Sequence, residues 1–492
     1  MASFIGIDLG TTYSAISYID DTGRPKIIHN SEGHNITASC IAFEGSEVQY
    51  TGEEARKMLG IEDNVAARFK RDMGKKIKHT FNGKKYTPTQ LSAEVLKRLY
   101  FDAKTKIGEI DEAVITVPAN FPSEARVETK NAAKLAGIKV KHMIDEPTAA
   151  ALHYAFEGNG ALKGHYAVYD LGGGTFDISI VKIDGFDVKV VATDGIAELG
   201  GDDFDTALQK LVQKKYLKAT GEELEEDEFT KTDAEENKKS LSKRDINPKI
   251  LKERIEITRA EFEDEISGMI AKAEMTCETV IELSKIKLKD IEAVFLVGGS
   301  TRIPIVQQSV KRIFKMEPTA THNVDEVVAL GASIYAAHKG DQSKLNIAQK
   351  KAINKVSVQD VTPRYYGCVV SDFDPEKEKA VSIVSIVIEK NVKRPCSHTE
   401  TYYTPFDNCE KLRLRITASN ALETDPDFVN ILYDDWLGPL PSGNSQGDPV
   451  EVTYSFDDDG IMHAVFLEVN SGLKKEVDID KSDSDSDSID ID

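Results

Sequence analysis

Asp170 and Asp177 flank the run Gly172-Gly173-Gly174-Thr175 in "YDLGGGTFDIS". A turn of glycines exposes backbone N–H groups with no Cβ in the way, which suits an anionic oxygen. An ordinary Gly-rich hairpin is the competing account of such a cluster taken alone. The cluster has a counterpart at the N-terminus, "FIGIDLGTTYSAISYID", where Asp8-Leu9-Gly10 matches Asp170-Leu171-Gly172 and the hydroxyls of Thr11 and Thr12 come next. Such an internal echo implies two similar half-domains facing one ligand. Two turns with an aspartate each can clamp a phosphate chain and, through water, a magnesium ion, which takes oxygen ligands and keeps much of its hydration. A third turn, "LVGGSTRIP", ends another apolar run with Gly298 and Gly299.

The common phosphate motifs do not fit. The chain has no G-x-x-x-x-G-K-[ST], and "GGGTFD" lacks the G-x-G-x-x-G spacing that opens a helix. The glycines lead instead into "TFDISIVKID", in which Phe176, Ile178 and Ile180 alternate with Thr175, Asp177 and Ser179. The glycines are therefore expected to join two strands.

The elements that must position these turns are legible as an alternation. Short apolar runs ("FIGIDLG", "EAVITVP", "HYAVYDLGG", "EAVFLVGG") alternate with helical patterns ("PTQLSAEVLKRLYFDAKTKIG", "SEARVETKNAAKLAG", "DEVVALGASIYAAHKG") up to about residue 340. That predicts an α/β domain with sheets covered by helices, and a charged α-rich subdomain around residues 220–284. Beyond a linker at 341–359 the texture changes to period two, as in "KAVSIVSIVIEK" and "EKLRLRITAS", which predicts an antiparallel β domain over 360–480. The acidic Ser/Asp run 481–492 is expected to be disordered.

Composition narrows the function classes. In 492 residues, 83 acidic against 62 basic side chains give a net charge of -21, a repulsive field for nucleic acid. No stretch approaches a membrane span, and the start has no basic n-region. Cys40, Cys277, Cys368, Cys396 and Cys409 are odd in number and far apart, with no C-x-x-C pair. Neither a disulfide scaffold nor a zinc site is indicated, and a cytoplasmic location is expected.

The three turns, in this order, resemble the ATPase domain shared by actin, sugar kinases and the seventy-kilodalton heat-shock chaperones. The likeness to the chaperones is much the closer. "IGIDLGTTYS", "VITVPANF", "DEPTAAALHYA", "YDLGGGTFDIS", "ELGGDDFD" and "LVGGSTRIPIVQ" stand in that family's order over residues 3 to 340. The resemblance implies an actin-like ATPase fold with two similar lobes over 1–340, followed by an antiparallel β-sandwich that binds peptide.

It also implies roles. Gly10, Thr11, Thr12 and Tyr13 would form the first phosphate loop and Gly172, Gly173, Gly174 and Thr175 the second. Asp8 and Asp170 would hold the hydrated Mg2+. Lys70 would place the attacking water, with Glu146, Thr175 and Asp177 at the other catalytic positions. Glu235, Lys238, Lys239 and Ser242 of "EENKKSLS" would take the nucleoside of ATP or ADP, and their spacing puts all four on one helical face. Gly298, Gly299, Ser300, Arg302 and Asp325 would complete the base and ribose pocket. Read singly, Lys70 belongs to the basic run "RFKRDMGKK", an ordinary solvated face, and Glu235 to Ser242 to an ordinary charged helix. The implied activity is slow ATP hydrolysis by a chaperone of the stress response. The implied partners are unfolded or extended polypeptide, a J-domain co-chaperone and a nucleotide-exchange factor, with no nucleic acid and no membrane.

Several features depart from the family pattern. A lysine stands at 239, where many members place an arginine that stacks on adenine, so weaker nucleotide affinity is expected. The chain runs out soon after "KKEVDIDK", which leaves no room for the helical lid and predicts fast peptide exchange. "NKVSVQDV" offers Val356, Val358 and Val361 in place of a leucine-rich linker. Arg364, Tyr365, Tyr366 and Cys368 stand in a region the family lines mostly with aliphatic residues, so an altered peptide cleft is expected. Two further readings stay open. One is a chaperone-like regulator that uses ATP as a structural ligand; the other, more remote, is a sugar kinase or filament former of the same fold.

Overall fold

The computed structural model describes residues 4–45, 47–225, 227–251, 255–319, 323–374 and 379–479, and the acidic run 481–492 lies outside the described residues. Two compact units emerge, Met1–Phe121 with Thr129–Val358, and Pro122–Glu128 with Gln359–Asp492.

The first unit is built on two sheets of one plan. In the first, Phe4–Asp8 pairs antiparallel with Tyr13–Ile19 and parallel with Glu112–Val117, and the order is completed by Val140–Asp145 and Pro25–Ile27 at the edges. In the second, Lys163–Leu171 pairs antiparallel with Phe176–Asp184 and parallel with Ile291–Val297, with Asp187–Ile196 beyond. The sequence echo is thus a structural one: each half carries a hairpin whose first strand ends in an aspartate-leucine-glycine run. Each sheet has its own core. Ile5, Ile7, Ile16, Leu91, Leu96 and Ile115 pack in one, and Tyr169, Phe176, Ile178, Phe204, Phe262 and Leu296 in the other. Fully burying such side chains contributes about 1.5–3 kcal/mol each.

Two helices lie against each other within this unit. Glu146–Glu157, with the alanines 149, 150 and 151 fully buried, comes directly after the strand Val140–Asp145. It meets Val327–Lys339 so closely that a Cβ on Gly331 would lie 1.8 Å from Ala149 O. The strand end at Asp145 therefore delivers Glu146 at a fixed place, the first residue of its helix.

The expected α-rich region holds the helices Gly201–Thr220, Lys231–Leu241 and Arg259–Ser284. It also holds a hairpin, Ile246–Ile250 with Ile255–Thr258, that the helical period of the flanking sequence hides. Within 341–359, expected as linker, the helix Ile347–Ile353 forms behind an Asn346/Gln349 capping box, and Ile353 and Val356 are buried. The Ser357 N–H then donates to Phe186 O at 3.2 Å, and Ser357–Gln359 adds a strand at the edge of the second sheet.

The second unit is a β-sandwich. One sheet runs Lys379–Ile388, Tyr365–Asp374, Leu412–Ser419, Asn430–Leu437, and the other Cys396–Tyr403, Pro449–Phe456, Met462–Glu468, Lys474–Asp478. The period-two pattern is realised as alternating burial along Pro449–Phe456 and Met462–Glu468. Tyr366 and Cys368, expected to alter a peptide cleft, instead point into the core beside Ile416, Tyr454 and Phe456. The rings of Tyr366 and Phe456 lie 4.8 Å apart. Alternation along the strand places 366 and 368 on the inner face, so their effect is on packing.

Candidate functional site

The two aspartate-glycine hairpins meet tip to tip. A Cβ on Gly173 would lie 2.0 Å from Thr12 Oγ1, and one on Gly174 2.5 Å from Thr11 Oγ1. Only glycine lets the second tip come this near the hydroxyls of the first. The tips floor a cleft of about 630 Å³ whose lining includes Asp8, Gly10, Thr11, Thr12, Tyr13, Lys70, Glu146, Asp170, Gly172, Gly173, Gly174 and Thr175. From the other elements it is lined by Glu235, Lys238, Lys239, Ser242, Gly298, Gly299, Ser300, Arg302 and Asp325.

Of the residues singled out from sequence, Asp177 alone does not line the cleft. It is 1% exposed and sits directly across the hairpin from Asp170, as its cross-strand partner. There it acts on Asp170 through charge.

Lys70 is no solvated lysine. It is 5% exposed, and its Nζ lies 2.8 Å from Glu146 Oε1. Around this pair the carboxylates are crowded. Burial and the neighbouring Glu146 push Asp8 up to about 7, against the pull of Lys70 and a 3.0 Å bond donated by Thr116 Oγ1. Burial, Glu146, Asp177 and Asp8 hold Asp170 well above the usual carboxylate range, and burial and Glu146 do the same for Asp177. A cation entering this cluster would relieve the mutual repulsion. Among the described residues no group of three His, Cys, Asp or Glu side chains is placed to ligate a metal directly. Two aspartates suit an ion that keeps most of its water, as magnesium does. The Thr12 hydroxyl, buried at the tip with no hydrogen-bond partner among the described residues, fits an incoming phosphate oxygen.

Another wall of the cleft is set by the helix Lys231–Leu241, whose N-terminus is fixed by a Thr230/Asp233 capping box. Glu235 bonds Arg56 Nη2 at 2.9 Å and Lys239 Nζ at 2.6 Å. Burial raises the Glu235 carboxyl, but Lys239 and Arg56 outweigh it and hold the group at about 2. Lys239 also donates to the Tyr13 hydroxyl at 3.4 Å. Lys238 is turned the other way, to Asp205 Oδ1 at 2.7 Å and Gly201 O at 2.8 Å. Burial lifts Asp205 to about 6 even beside that ammonium. Ser242 caps the helix, its hydroxyl donating to Lys238 O at 3.0 Å.

The third turn closes on the second. Ser300 Oγ donates to Gly172 O at 2.8 Å, and Arg302 pairs with Asp325 at 2.7 Å. The start of the helix Gly201–Thr220 backs the glycine loop, with Gly201 N–H donating to Gly172 O (3.0 Å) and Asp202 N–H to Gly173 O (2.8 Å).

Sequence reasoning assigns no role to Arg56, Arg68, Arg71, Gly201, Asp202 or Asp205, all of which line the cleft or bind its lining. A signal exists for three of them. "ELGGDDFD" sets a glycine pair before acidic residues and an apolar helical run, the mark of a helix N-terminus. The arginines give none, because their partners are far away in sequence.

Among the described residues no helix is long and apolar enough to cross a membrane. A family model described as Hsp70 protein matches residues 4–492, essentially the entire sequence. Members of that family are ATP-binding chaperones with an actin-like ATPase fold of two lobes and a β-sandwich, the architecture seen here. By that match, carried over a paired-hairpin cleft, the chain belongs to the Hsp70 family.

Proposed function

We propose that the protein binds Mg2+-ATP in the cleft between its two glycine hairpins, hydrolyses it slowly, and holds unfolded or extended polypeptide weakly through its β-sandwich. The observation that carries the reading is the buried Lys70–Glu146 pair, 2.8 Å long, set in the cleft that Asp8, Asp170 and both hairpin tips line. Asp8 and Asp170 would hold the hydrated magnesium, which supplies charge neutralisation on the phosphates when bound. Gly10 to Tyr13 and Gly172 to Thr175 take the phosphate chain from opposite sides. Lys70 orients the attacking water, and Glu146 fixes the Lys70 ammonium. Such positioning and electrostatic work is most of what phosphoryl transfer requires of a protein.

The nucleoside rests against Glu235, Lys238, Lys239 and Ser242, with Gly298, Gly299, Ser300, Arg302 and Asp325 opposite. The boundaries we assign are an ATPase domain that takes in most of the stretch 341–359 expected as linker, since Ile353 and Val356 are buried and the first unit runs to Val358, then a β-sandwich over 360–480 and an acidic tail over 481–492. A J-domain co-chaperone, a nucleotide-exchange factor and a cytoplasmic setting belong to the same reading.

A second reading, a chaperone-like regulator that keeps ATP as a structural ligand, has one observation in its favour. The Lys239 ammonium is already occupied by Glu235 and Tyr13, so it offers little to a purine base. Peptide affinity of the full chain, measured with ATP and with ADP, separates the two. A working chaperone gives different affinities in the two states, and equal affinities would favour the regulator.

A further inference from the structure

Lys70 reaches the cleft on a single short turn, Phe69–Asp72, and that turn is gripped on both sides of the lysine. Arg68 Nε donates to Asp202 Oδ1 at 2.8 Å. Arg71 forks onto both oxygens of Asp203, at 3.1 and 2.6 Å, and also donates to Gly174 O at 2.9 Å. Asp202 in turn donates its N–H to Gly173 O, so both arginines end on the second glycine loop or on the helix that backs it. The grip is sheltered: Asp202 is 2% exposed, and Arg68 and Arg71 keep only 18% of their side-chain exposure. Arg68 sits at φ 64, in the left-handed region that side chains with a Cβ avoid. A strained backbone persists only where its surroundings over-determine it. Here the Asp202 pair does so.

We infer that Arg68 and Arg71 are positioning residues for phosphoryl transfer, a two-armed brace that fixes Lys70 against the second phosphate loop. The inference rests on the ATPase reading above. Neither arginine touches the Lys70–Glu146 pair, so the brace acts through the backbone of the turn. Its arms span 134 and 132 residues of sequence and form only when the Lys70 turn and the glycine loop are in register. Phosphoryl transfer is sensitive to such register, since a misplacement of about 1 Å can lower a rate about a hundredfold. At 71 arginine suits the task because its planar fork engages the Asp203 carboxylate and the Gly174 carbonyl oxygen in a fixed geometry, whereas Arg68 makes a single bond to Asp202.

The test uses the full chain with Mg2+-ATP and measures the single-turnover hydrolysis rate at saturating ATP alongside the ATP dissociation constant. Arg68→Ala is expected to lower the rate about tenfold while changing the dissociation constant less than about threefold. Arg68→Lys, which keeps a charge within reach of Asp202, is expected to recover most of the loss. Should Arg68→Ala fail to fold, Arg68→Gln takes its place with the same expected loss. A wild-type rate in the alanine variant, or a defect in affinity alone, overturns the brace. Wild-type protein that binds ATP without hydrolysing it overturns the ATPase reading and the brace together.

Discussion

Lys70 Nζ and Glu146 Oε1 lie 2.8 Å apart, and neither side chain is more than 10% exposed. One comes from a short turn and the other from the first residue of a helix, 76 positions later. Removing one partner of a buried ion pair leaves a charge without compensation, which costs about 3–5 kcal/mol. Lys70→Ala is therefore expected to lower the stability of the nucleotide-free protein more than Lys70→Ala/Glu146→Gln does. Urea unfolding of both variants checks this, and equal losses would mean that the pair is not coupled.

The tip-to-tip approach of the hairpins predicts a size limit. Gly173→Ala would drive a methyl group to 2.0 Å from Thr12 Oγ1, so the tips must part. ATP affinity is expected to fall at least about tenfold, about 1.4 kcal/mol, with little change in the folded secondary structure. Calorimetric titration with Mg2+-ATP reads the first and circular dichroism the second. Undiminished affinity would show that the glycine loop does not close on the phosphates.

Lys239 is the second point of leverage. Replacing it by arginine retains the charge opposite Glu235 and supplies a flat face for a purine. Lys239→Arg is expected to tighten ATP binding by about 0.5–1 kcal/mol, a few-fold in the dissociation constant. Titration with ATP and with a triphosphate lacking the base distinguishes stacking from a general charge effect, because only the former is specific to the base. An equal gain for both ligands would contradict the stacking account.

Asp205 sets a pH dependence. Its folded value of about 6 is raised, chiefly by burial, above the ordinary 3.8, so the folded chain binds a proton that the unfolded chain releases between these values. Stability from this group is present below about pH 4 and is lost as pH rises to about 6. Asp205→Asn removes that dependence. The stability of the variant relative to wild type is expected to climb by about 2–3 kcal/mol between pH 4 and pH 6 and then level off. Urea midpoints at pH 4, 5, 6 and 7 test it, and a difference that stays flat over that range would contradict the assignment.

Much of this fold is legible in the sequence, and the reasons are local. The runs ending in Asp8 and Asp170 read as strands by their apolar pattern, and the glycines after them mark the turns. The helix carrying Glu235, Lys238 and Lys239 is legible from its spacing. What escapes is long-range. Arg68 and Arg71 read as ordinary basic residues because Asp202 and Asp203, which define them, stand 134 and 132 positions away. Asp177 reads as a residue of the cleft because it sits in the motif, whereas its place in the hairpin register, opposite Asp170, keeps it behind the lining. Tyr366 and Cys368 mislead for a related reason: a period of two says which residues share a face, but not which face is the core. The hairpin Ile246–Ile250 with Ile255–Thr258 stays hidden because its strands are only five and four residues long and lie between helical patterns.

The central claim is that the paired hairpins form a catalytic ATP clamp with Lys70 as the residue that orients water. Single-turnover hydrolysis of Mg2+-ATP by wild-type protein and by Lys70→Ala tests it most directly. The account predicts a slow but measurable wild-type rate, reduced by about a hundredfold or more in the variant, while ATP still binds. Equal rates in the two proteins would contradict it.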